Sequence, residues 1–256
     1  MESRYFPSDM AVMLGRSLRH ILRSMDTIIT VALTPIALML LFVYVFGGAI
    51  RSGVDNYVNY LLPGILLIAI ASGTAYTAFR LFQDVQRGIF ERFHSMPIAH
   101  SAILWGHVLT SLVSNAISLA VIVLVAILMG FRSPAGALSW LAAIGILALF
   151  TLALTWIAAI AGLTATTVDG ASAFSYPLIF LPFVSSAFVP TGTMPPVVRA
   201  FADNQPVTSI VNTLRALLSK QPVGKEIWIA LAWCLGITAV ACLFAMRAYR
   251  RRVASR

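Results

Sequence analysis

The chain has 256 residues, of which 59% are hydrophobic and only 11% are charged. Soluble globular domains are roughly a quarter charged, so this chain has too few charges to cover a water-exposed surface. Disorder is excluded as well, because disordered chains combine low hydrophobicity with high charge density. The composition therefore predicts a polytopic membrane protein, and the net charge of +9 is expected in its loops rather than in a nucleic-acid interface.

Six long segments of the chain contain no Asp, Glu, Lys or Arg. About 20 residues of helix cross the ~30 Å hydrocarbon core, so each segment is long enough for one span. Because the segments are continuously apolar rather than alternating, they predict an all-α protein with six transmembrane helices in one domain over residues 1–256. The predicted spans are residues 28–46, 57–79, 103–129, 138–163, 173–189 and 227–246.

The basic residues predict the orientation, because cytoplasmic loops of membrane proteins carry an excess of Lys and Arg. Twelve of the eighteen basic residues lie before the first span, in the 80–100 loop or after the last span. The other six lie in the loops of the opposite face. Both termini are therefore predicted to be cytoplasmic, and the arginine run at residues 250–252 is the strongest single signal.

Two cytoplasmic segments combine apolar and charged residues at helical spacing. Residues 8–25 predict an amphipathic helix in the membrane interface, with a helix packed on other protein as the alternative. The 80–100 loop has apolar residues at helical spacing between charged ones, which suits docking onto another protein. A second interface helix would show the same pattern. The apolar residues of this loop are Phe82, Val85, Ile89 and Phe93.

The outer segment 190–226 contains two stretches that begin at prolines. Pro195 and Pro196 predict a short helix over residues 197–202, and Pro206 predicts a second helix with an apolar face. Neither is long enough to cross the membrane. Two short helices that dip into the outer leaflet are predicted, because non-spanning backbone at that depth must be helical or covered. An ordinary extracellular loop is the alternative.

The sequence lacks the residues that ion-driven transport, nucleotide hydrolysis, metal binding and catalysis require. No acidic or basic residue other than histidine lies inside a predicted span, which disfavours a carrier driven by protons or sodium. The chain contains no Gly-x-x-x-x-Gly-Lys-Ser/Thr phosphate loop, so it is not expected to hydrolyse nucleotides. His94, His100 and His107 lie near the third span without nearby carboxylate or thiolate ligands, so no metal site is predicted. Asp169 is isolated, and no catalytic residues are assigned.

The spans do offer small and hydroxylated residues at positions where helices pack. Ser185 and Ser186 lie in the fifth span between Pro182 and Pro190, where the helix is expected to be interrupted. Hydroxyls on interrupted helices can line a cavity for an amphiphile, although they also serve as contacts between helices. The possible pathway residues are Ser72, Thr74, Thr77, Ser185 and Ser186.

Three motifs, in register with the six spans, resemble the membrane subunits of type-2 ABC exporters, and most closely the daunorubicin-resistance permease branch. The first is Leu62-Pro63-Gly64-Ile65-Leu66, which opens the second span. The second is Glu91-Arg92-Phe93-His94-Ser95-Met96-Pro97-Ile98, which leads into the third. The third runs from Phe188-Val189-Pro190 through Asn204-Gln205-Pro206 to Leu214-Arg215-Ala216-Leu217-Leu218.

The resemblance implies a permease subunit that pairs with a second permease, with a homodimer favoured. It also implies two copies of a cytoplasmic ABC ATPase, which would bind the ATP and Mg²⁺. Residues 8–25 would be the connecting helix and residues 191–222 the re-entrant segment, including Pro195, Pro206, Thr208 and Arg215. The coupling helix that contacts the ATPase would contain Gln83, Asp84, Arg87, Phe90, Glu91, Arg92 and Phe93.

The function expected from this resemblance is ATP-driven export of an amphiphilic or hydrophobic compound across the bacterial plasma membrane. A drug, an antibiotic, a lipid or a glycolipid would fit that class. The alternative is an ATP-independent channel or secondary carrier. The residues do not identify the cargo.

Overall fold

The computed structural model describes residues 25–47, 56–88 and 100–254, and their regular structure is entirely helical. Four helices are long and apolar enough to span a membrane, and shorter apolar helical segments lie at Val31–Phe46 and Val168–Val184. The prediction of an all-α polytopic membrane protein is confirmed. The elements are α1 (Met25–Leu40, extended by a π-helix at Leu41–Phe46), α2 (Tyr57–Gln86), α3 (His100–Leu128), α4 (Ala137–Thr164), α5 (Val168–Ala173), α6 (Ser175–Phe180), 3-10 turns at Leu181–Val184 and Thr191–Thr193, α7 (Pro196–Asn204), α8 (Pro206–Leu218) and α9 (Glu226–Ala254).

Helix α2 is the centre of the fold. It contacts α1, α3, α4, α5, α6 and α8, and nearly all of its side chains between Val58 and Ala71 are buried. The side chain of Asn56 caps its first turn by accepting a hydrogen bond from the backbone N–H of Val58 at 3.1 Å. A helix that is apolar on all faces must be surrounded by other elements or by lipid, and α2 is surrounded by other helices.

Helix α2 is longer than the sequence predicted. It continues from the expected end near Phe79 to Gln86, and Gly88 follows it with a positive φ of 66°. The first part of the predicted cytoplasmic loop is therefore a continuation of the second span. Phe82 and Val85, predicted to face another protein or the membrane interface, are 5% and 7% exposed and pack inside this chain.

The fifth predicted span, residues 173–189, is not one helix. Helix α5 ends at Ala173, α6 covers only Ser175–Phe180, and a 3-10 turn follows. Pro177 explains the first break, because a proline cannot donate to the carbonyl four residues earlier and its ring clashes with that group. Pro182 has the same effect on the end of α6. The interruption that the sequence analysis expected from the prolines of this span is present.

The two short helices predicted in the outer segment are both present. Helix α7 covers Pro196–Asn204 rather than 197–202, and α8 begins at Pro206 as expected. Proline is well suited to the first helical position, where its missing N–H costs no hydrogen bond. The apolar face predicted for α8 is buried: Ile210, Val211, Leu214, Leu217 and Leu218 are each at most 7% exposed.

Candidate functional site

The broken fifth span leaves backbone carbonyl groups that a regular helix would have satisfied. At membrane depth such groups must find other donors, because lipid supplies none. Gln205, at the junction of α7 and α8, donates from Nε2 to the carbonyls of Leu181, at 3.5 Å, and Val184. From the first turn of α2, Tyr57 donates to the Phe188 carbonyl at 3.4 Å. The break is therefore stabilised by side chains of other elements.

Arg215 on α8 joins these elements in a cluster that we call the outer clasp: Tyr60, Ser186, Asn212 and Arg215. The Arg215 guanidinium donates from Nη2 to the backbone carbonyls of Ser186 at 2.8 Å and Tyr60 at 3.2 Å. Its Nη1 donates to Asn212 Oδ1 at 3.2 Å. Ser186 Oγ donates to the same Asn212 oxygen at 2.7 Å, and the Tyr60 hydroxyl donates to the Ser186 carbonyl at 3.0 Å.

The guanidinium of Arg215 also lies over the ring of Tyr60, with Cζ 3.7 Å from the ring centroid. A cation–π contact is more favourable when the cation and the ring are desolvated than when both are in water. This contact therefore stabilises the cluster in addition to the hydrogen bonds. Burial lowers the pKa of the Arg215 guanidinium, and the interaction with Tyr60 opposes that shift. A guanidinium keeps its charge even where burial disfavours it, which makes arginine suited to a buried position.

A close backbone approach lies beside the outer clasp. A Cβ added to Gly64 on α2 would meet the Cβ of Ala187 at 2.6 Å, which is too close for two carbon atoms. Only glycine at position 64 lets α2 and the 185–188 segment approach this closely. The segment is thus held between α2 on one side and α8 on the other.

A second polar cluster, which we call the inner network, lies among α2, α3 and α4 and consists of Thr77, Ser111, Asn115 and Thr155. Thr155 Oγ1 donates to the Thr151 carbonyl at 2.7 Å, so its single proton is used. Ser111 must therefore donate to Thr155 across 3.0 Å, and Ser111 Oγ accepts from Thr77, also at 3.0 Å. Asn115 Nδ2 donates to the Ser111 carbonyl at 2.9 Å. Hydrogen bonds therefore run from Thr77 to Ser111 and from Ser111 to Thr155, and they link α2, α3 and α4.

The C-terminal end of α2 is tied to α3 by a contact between a carboxylate and an imidazole. His107 Nε2 lies 3.2 Å from Asp84 Oδ2, and both side chains are partly exposed. Of the other residues expected to contact the ATPase, Gln83 is half-buried and Arg87 is exposed at the C-cap. Phe90, Glu91, Arg92 and Phe93 lie outside the described residues. Within the described ranges, no group of three His, Cys, Asp or Glu side chains could hold a metal ion.

The sequence of this chain is similar to those of known membrane transport proteins. The family model described as "ABC-2 type transporter" matches residues 9–218. The chain belongs to the ABC-2 type transporter family. It is 30% identical over 253 residues to the daunorubicin resistance ABC transporter permease protein DrrB1 of Streptomyces coeruleorubidus, covering 94% of this chain and 88% of that relative. It is 24% identical to the probable doxorubicin resistance ABC transporter permease protein DrrC of Mycobacterium tuberculosis, covering 97% of this chain and 91% of that relative.

The resemblance inferred from the sequence motifs is thus confirmed, and the chain is an ABC transporter permease subunit. The motif around Leu62-Pro63-Gly64 lies where α2 meets the 185–188 segment, and the Asn204-to-Leu218 motif supplies Gln205 and Arg215. Two of the three motifs therefore meet in and around the outer clasp of this ABC-2 permease. The remaining motif, residues 91–98, lies outside the described residues.

The structure separates the five hydroxyl residues predicted to line a pathway. Ser185 and Ser186 are buried beside the outer clasp, whereas Thr77 belongs to the inner network. Ser72 and Thr74 hydrogen-bond to the backbone of their own helix, at the carbonyls of Ile68 and Ala71. Within this single chain all five have protein partners, so a role in lining a pathway stays a prediction.

The outer-segment residues also have distinct positions in this permease. Pro195 is the N-cap of α7, and Pro206 opens α8. Thr208 is buried, and its Oγ1 has no hydrogen-bond partner among the described residues. Of these four residues, Arg215 is the one whose side chain hydrogen-bonds to other described elements. The sequence analysis gave these residues a location but assigned no contacts to them.

Sequence reasoning missed several members of both polar clusters. Tyr60 and Asn212 were not singled out, and neither was Gln205 as a donor. In the inner network, Ser111, Asn115 and Thr155 were missed. Asn115 is the only side-chain amide in the charge-free part of the third span, so a search for Asn and Gln inside spans would have found it. The outer clasp depends on how a broken helix folds back, for which the sequence holds no comparable signal.

Proposed function

We propose that this ABC-2 permease exports an amphiphilic or hydrophobic compound, with the energy supplied by ATP hydrolysis on separate cytoplasmic subunits. The observation that carries the proposal is the similarity over 94% of the chain to a permease named for daunorubicin resistance. The chain itself has no phosphate loop for ATP. The permease would sit in the bacterial plasma membrane with both termini in the cytoplasm.

The proposed assembly has two permease copies and two ATPase subunits. The pathway lies between the first, second and fifth spans of the two permeases, which corresponds to α1, α2 and the broken segment from α5 to residue 190. ATP binding draws the ATPases together and moves the coupling segments around residues 83–93. That movement transports cargo only if it changes the relative stability of two packings of the spans. The long, buried α2 joins the coupling segment to the outer face in one rigid element.

The coupling segment can be tested by reversing its charges. In the double variant Glu91→Arg/Arg92→Glu, we expect ATP hydrolysis to continue while export falls, because the contact that transmits movement to the permease is lost. The measurement is ATP turnover alongside uptake of daunorubicin by inside-out vesicles that contain the complex. Daunorubicin is the first probe because a relative is named for it.

A matched control exchanges the charges of an outer pair. Arg199 and Asp203 form an exposed i,i+4 ion pair on α7 with a 3.4 Å contact, so Arg199→Asp/Asp203→Arg should leave both activities near wild type. Normal assembly with unchanged coupling in the Glu91/Arg92 variant would count against the proposed role of this segment.

The competing function is an ATP-independent channel or secondary carrier. Reconstitution of the purified permease alone separates the two, because an exporter of the proposed type shows no flux without its ATPase. Flux of the probe through the permease alone, unaffected by ATP, would favour the carrier and reject the proposal.

A further inference from the structure

We propose that Arg215 is the latch that holds the exit segment of the permease closed, and that ATP-driven movement releases it. The inference rests on the proposed export function and assigns a positioning role to one residue. The exit segment is defined here as residues 181–188, the irregular part of the fifth span.

Side chains of other elements hold much of the exit segment. Its first part, Leu181–Val184, is a 3-10 turn, and the Ser185 N–H donates to the Pro182 carbonyl. Three further carbonyls accept from side chains outside the segment: Gln205 reaches Val184, Arg215 reaches Ser186, and Tyr57 reaches Phe188. Irregular backbone in a membrane protein persists where protein covers it or where it lines a cavity. Because the donors belong to α2, α8 and the junction before α8, separation of these elements releases the segment.

Several contacts between the exit segment and its neighbours depend on Arg215. Its guanidinium binds the carbonyls of both Ser186 and Tyr60, and it covers the Tyr60 ring. The Tyr60 side chain, on α2, also reaches the Ser186 carbonyl, and it contacts α8 through the Arg215 guanidinium itself. A planar guanidinium can donate to two acceptors from one edge, whereas an ammonium group on a flexible stem is a point donor. Arg215 therefore holds three elements that would otherwise be joined only in pairs.

The exit segment packs tightly against α2. Ser185 and Ala187 are fully buried, and Ala187 rests on Gly64. A segment this tightly packed has two arrangements, closed or displaced, rather than a continuous range. Its displacement exposes Ser185, which makes the accessibility of that position a direct measure of the latch.

The experiment uses Ser185→Cys as a nearly isosteric reporter, in a permease whose Cys234 and Cys242 are replaced by alanine. The permease and its ATPase partner are reconstituted in lipid nanodiscs, and the rate of labelling by a polar maleimide is measured with and without ATP. In the otherwise wild-type complex we expect slow labelling without ATP and faster labelling with ATP.

Arg215→Gln and Arg215→Lys are the test variants. Both should raise the ATP-free labelling rate by about tenfold, equivalent to about 1.4 kcal/mol in the opening equilibrium, and both should make labelling insensitive to ATP. The lysine variant keeps the charge, so a complex that assembles normally with it guards against a simple folding defect. Arg199→Gln, which removes an exposed cation from the neighbouring α7, is the matched control and should label like wild type.

The outcomes separate this inference from the proposed function. Arg215 variants that assemble and label at the slow wild-type rate overturn the latch, whether or not ATP acts on the wild type. Fast labelling of the Arg215 variants with a wild type that ignores ATP supports a latch but overturns its release by ATP, and it counts against ATP-driven export. Slow wild-type labelling that ATP accelerates, together with fast labelling of both variants, supports both.

Discussion

Single glycines on α2 set how closely its neighbours approach. Gly64 faces Ala187, and Gly73 faces Asn115 of the inner network so closely that an added Cβ would collide with Oδ1. Small residues at helix interfaces let membrane helices pack where no hydrophobic driving force between them exists. The polar contacts of α2 with α3 therefore depend on a residue that has no side chain.

The alanine substitution Gly73→Ala tests this dependence. Overpacking of a tight contact costs about 1–3 kcal/mol, so we expect a clear fall in the thermal stability of the detergent-solubilised permease. Gly145→Ala is the control, since a Cβ there meets nothing within 4 Å and gains the same helix propensity. The two midpoints of thermal unfolding are compared. Equal midpoints would show that α2 and α3 adjust without loss, and that the contact at Gly73 is not restrictive.

At the scale of elements, the broken fifth span owes its shape to donors outside itself. The prolines explain why no continuous helix forms, but they do not explain what stabilises the carbonyls they leave open. Gln205 donates hydrogen bonds to two of these carbonyls, those of Leu181 and Val184. It is the single residue that joins α7 to α8. The position of the outer helices and the conformation of the broken span are thus fixed together.

Replacement of that donor should destabilise the break. Gln205→Leu keeps the approximate size of the side chain but leaves two partly buried carbonyls without their donor. A fully buried unsatisfied group costs about 1–3 kcal/mol, and that range is the upper bound here. We expect a lower unfolding midpoint and faster proteolysis between α6 and α7. Asn204→Leu is the control, because that amide donates only to Ala200 in its own helix and is exposed. A Gln205 variant as stable and as protease-resistant as the Asn204 variant would refute this role.

The sequence predicted those elements whose physical cause is local. The absence of charge located the long helices, and prolines marked the starts of α7 and α8 correctly. It failed where tertiary contacts decide: Phe82 and Val85 have the amphipathic spacing of a docking surface, yet α3, α4 and α9 bury this end of α2. The outer clasp could not be predicted from the sequence, because Tyr60 and Arg215 are 155 residues apart and come into contact only in the folded chain.

At the scale of the whole molecule, α2 contributes a residue to each of the three polar contacts described above. Tyr60 belongs to the outer clasp, Thr77 to the inner network, and Asp84 to the contact with His107. Helix α2 is one continuous element of 30 residues, with Pro63 inside it. In the function proposed above, α2 is therefore the connection between the coupling segment and Arg215.

That connection requires the two ends of α2 to lie on opposite sides of the membrane, in the orientation that the basic residues predict. We expect Gln221→Cys, after α8, to react with a membrane-impermeant maleimide in intact cells, and Asp169→Cys, in the first turn of α5, to be protected. Both positions are exposed in the folded chain, so protection can come only from the membrane or from a bound partner. Labelling of both after permeabilisation serves as the control, carried out with Cys234 and Cys242 replaced by alanine. The reverse pattern in intact cells would place the 80–100 segment outside, where no ATPase could reach it, and would reject the orientation and the coupling role together.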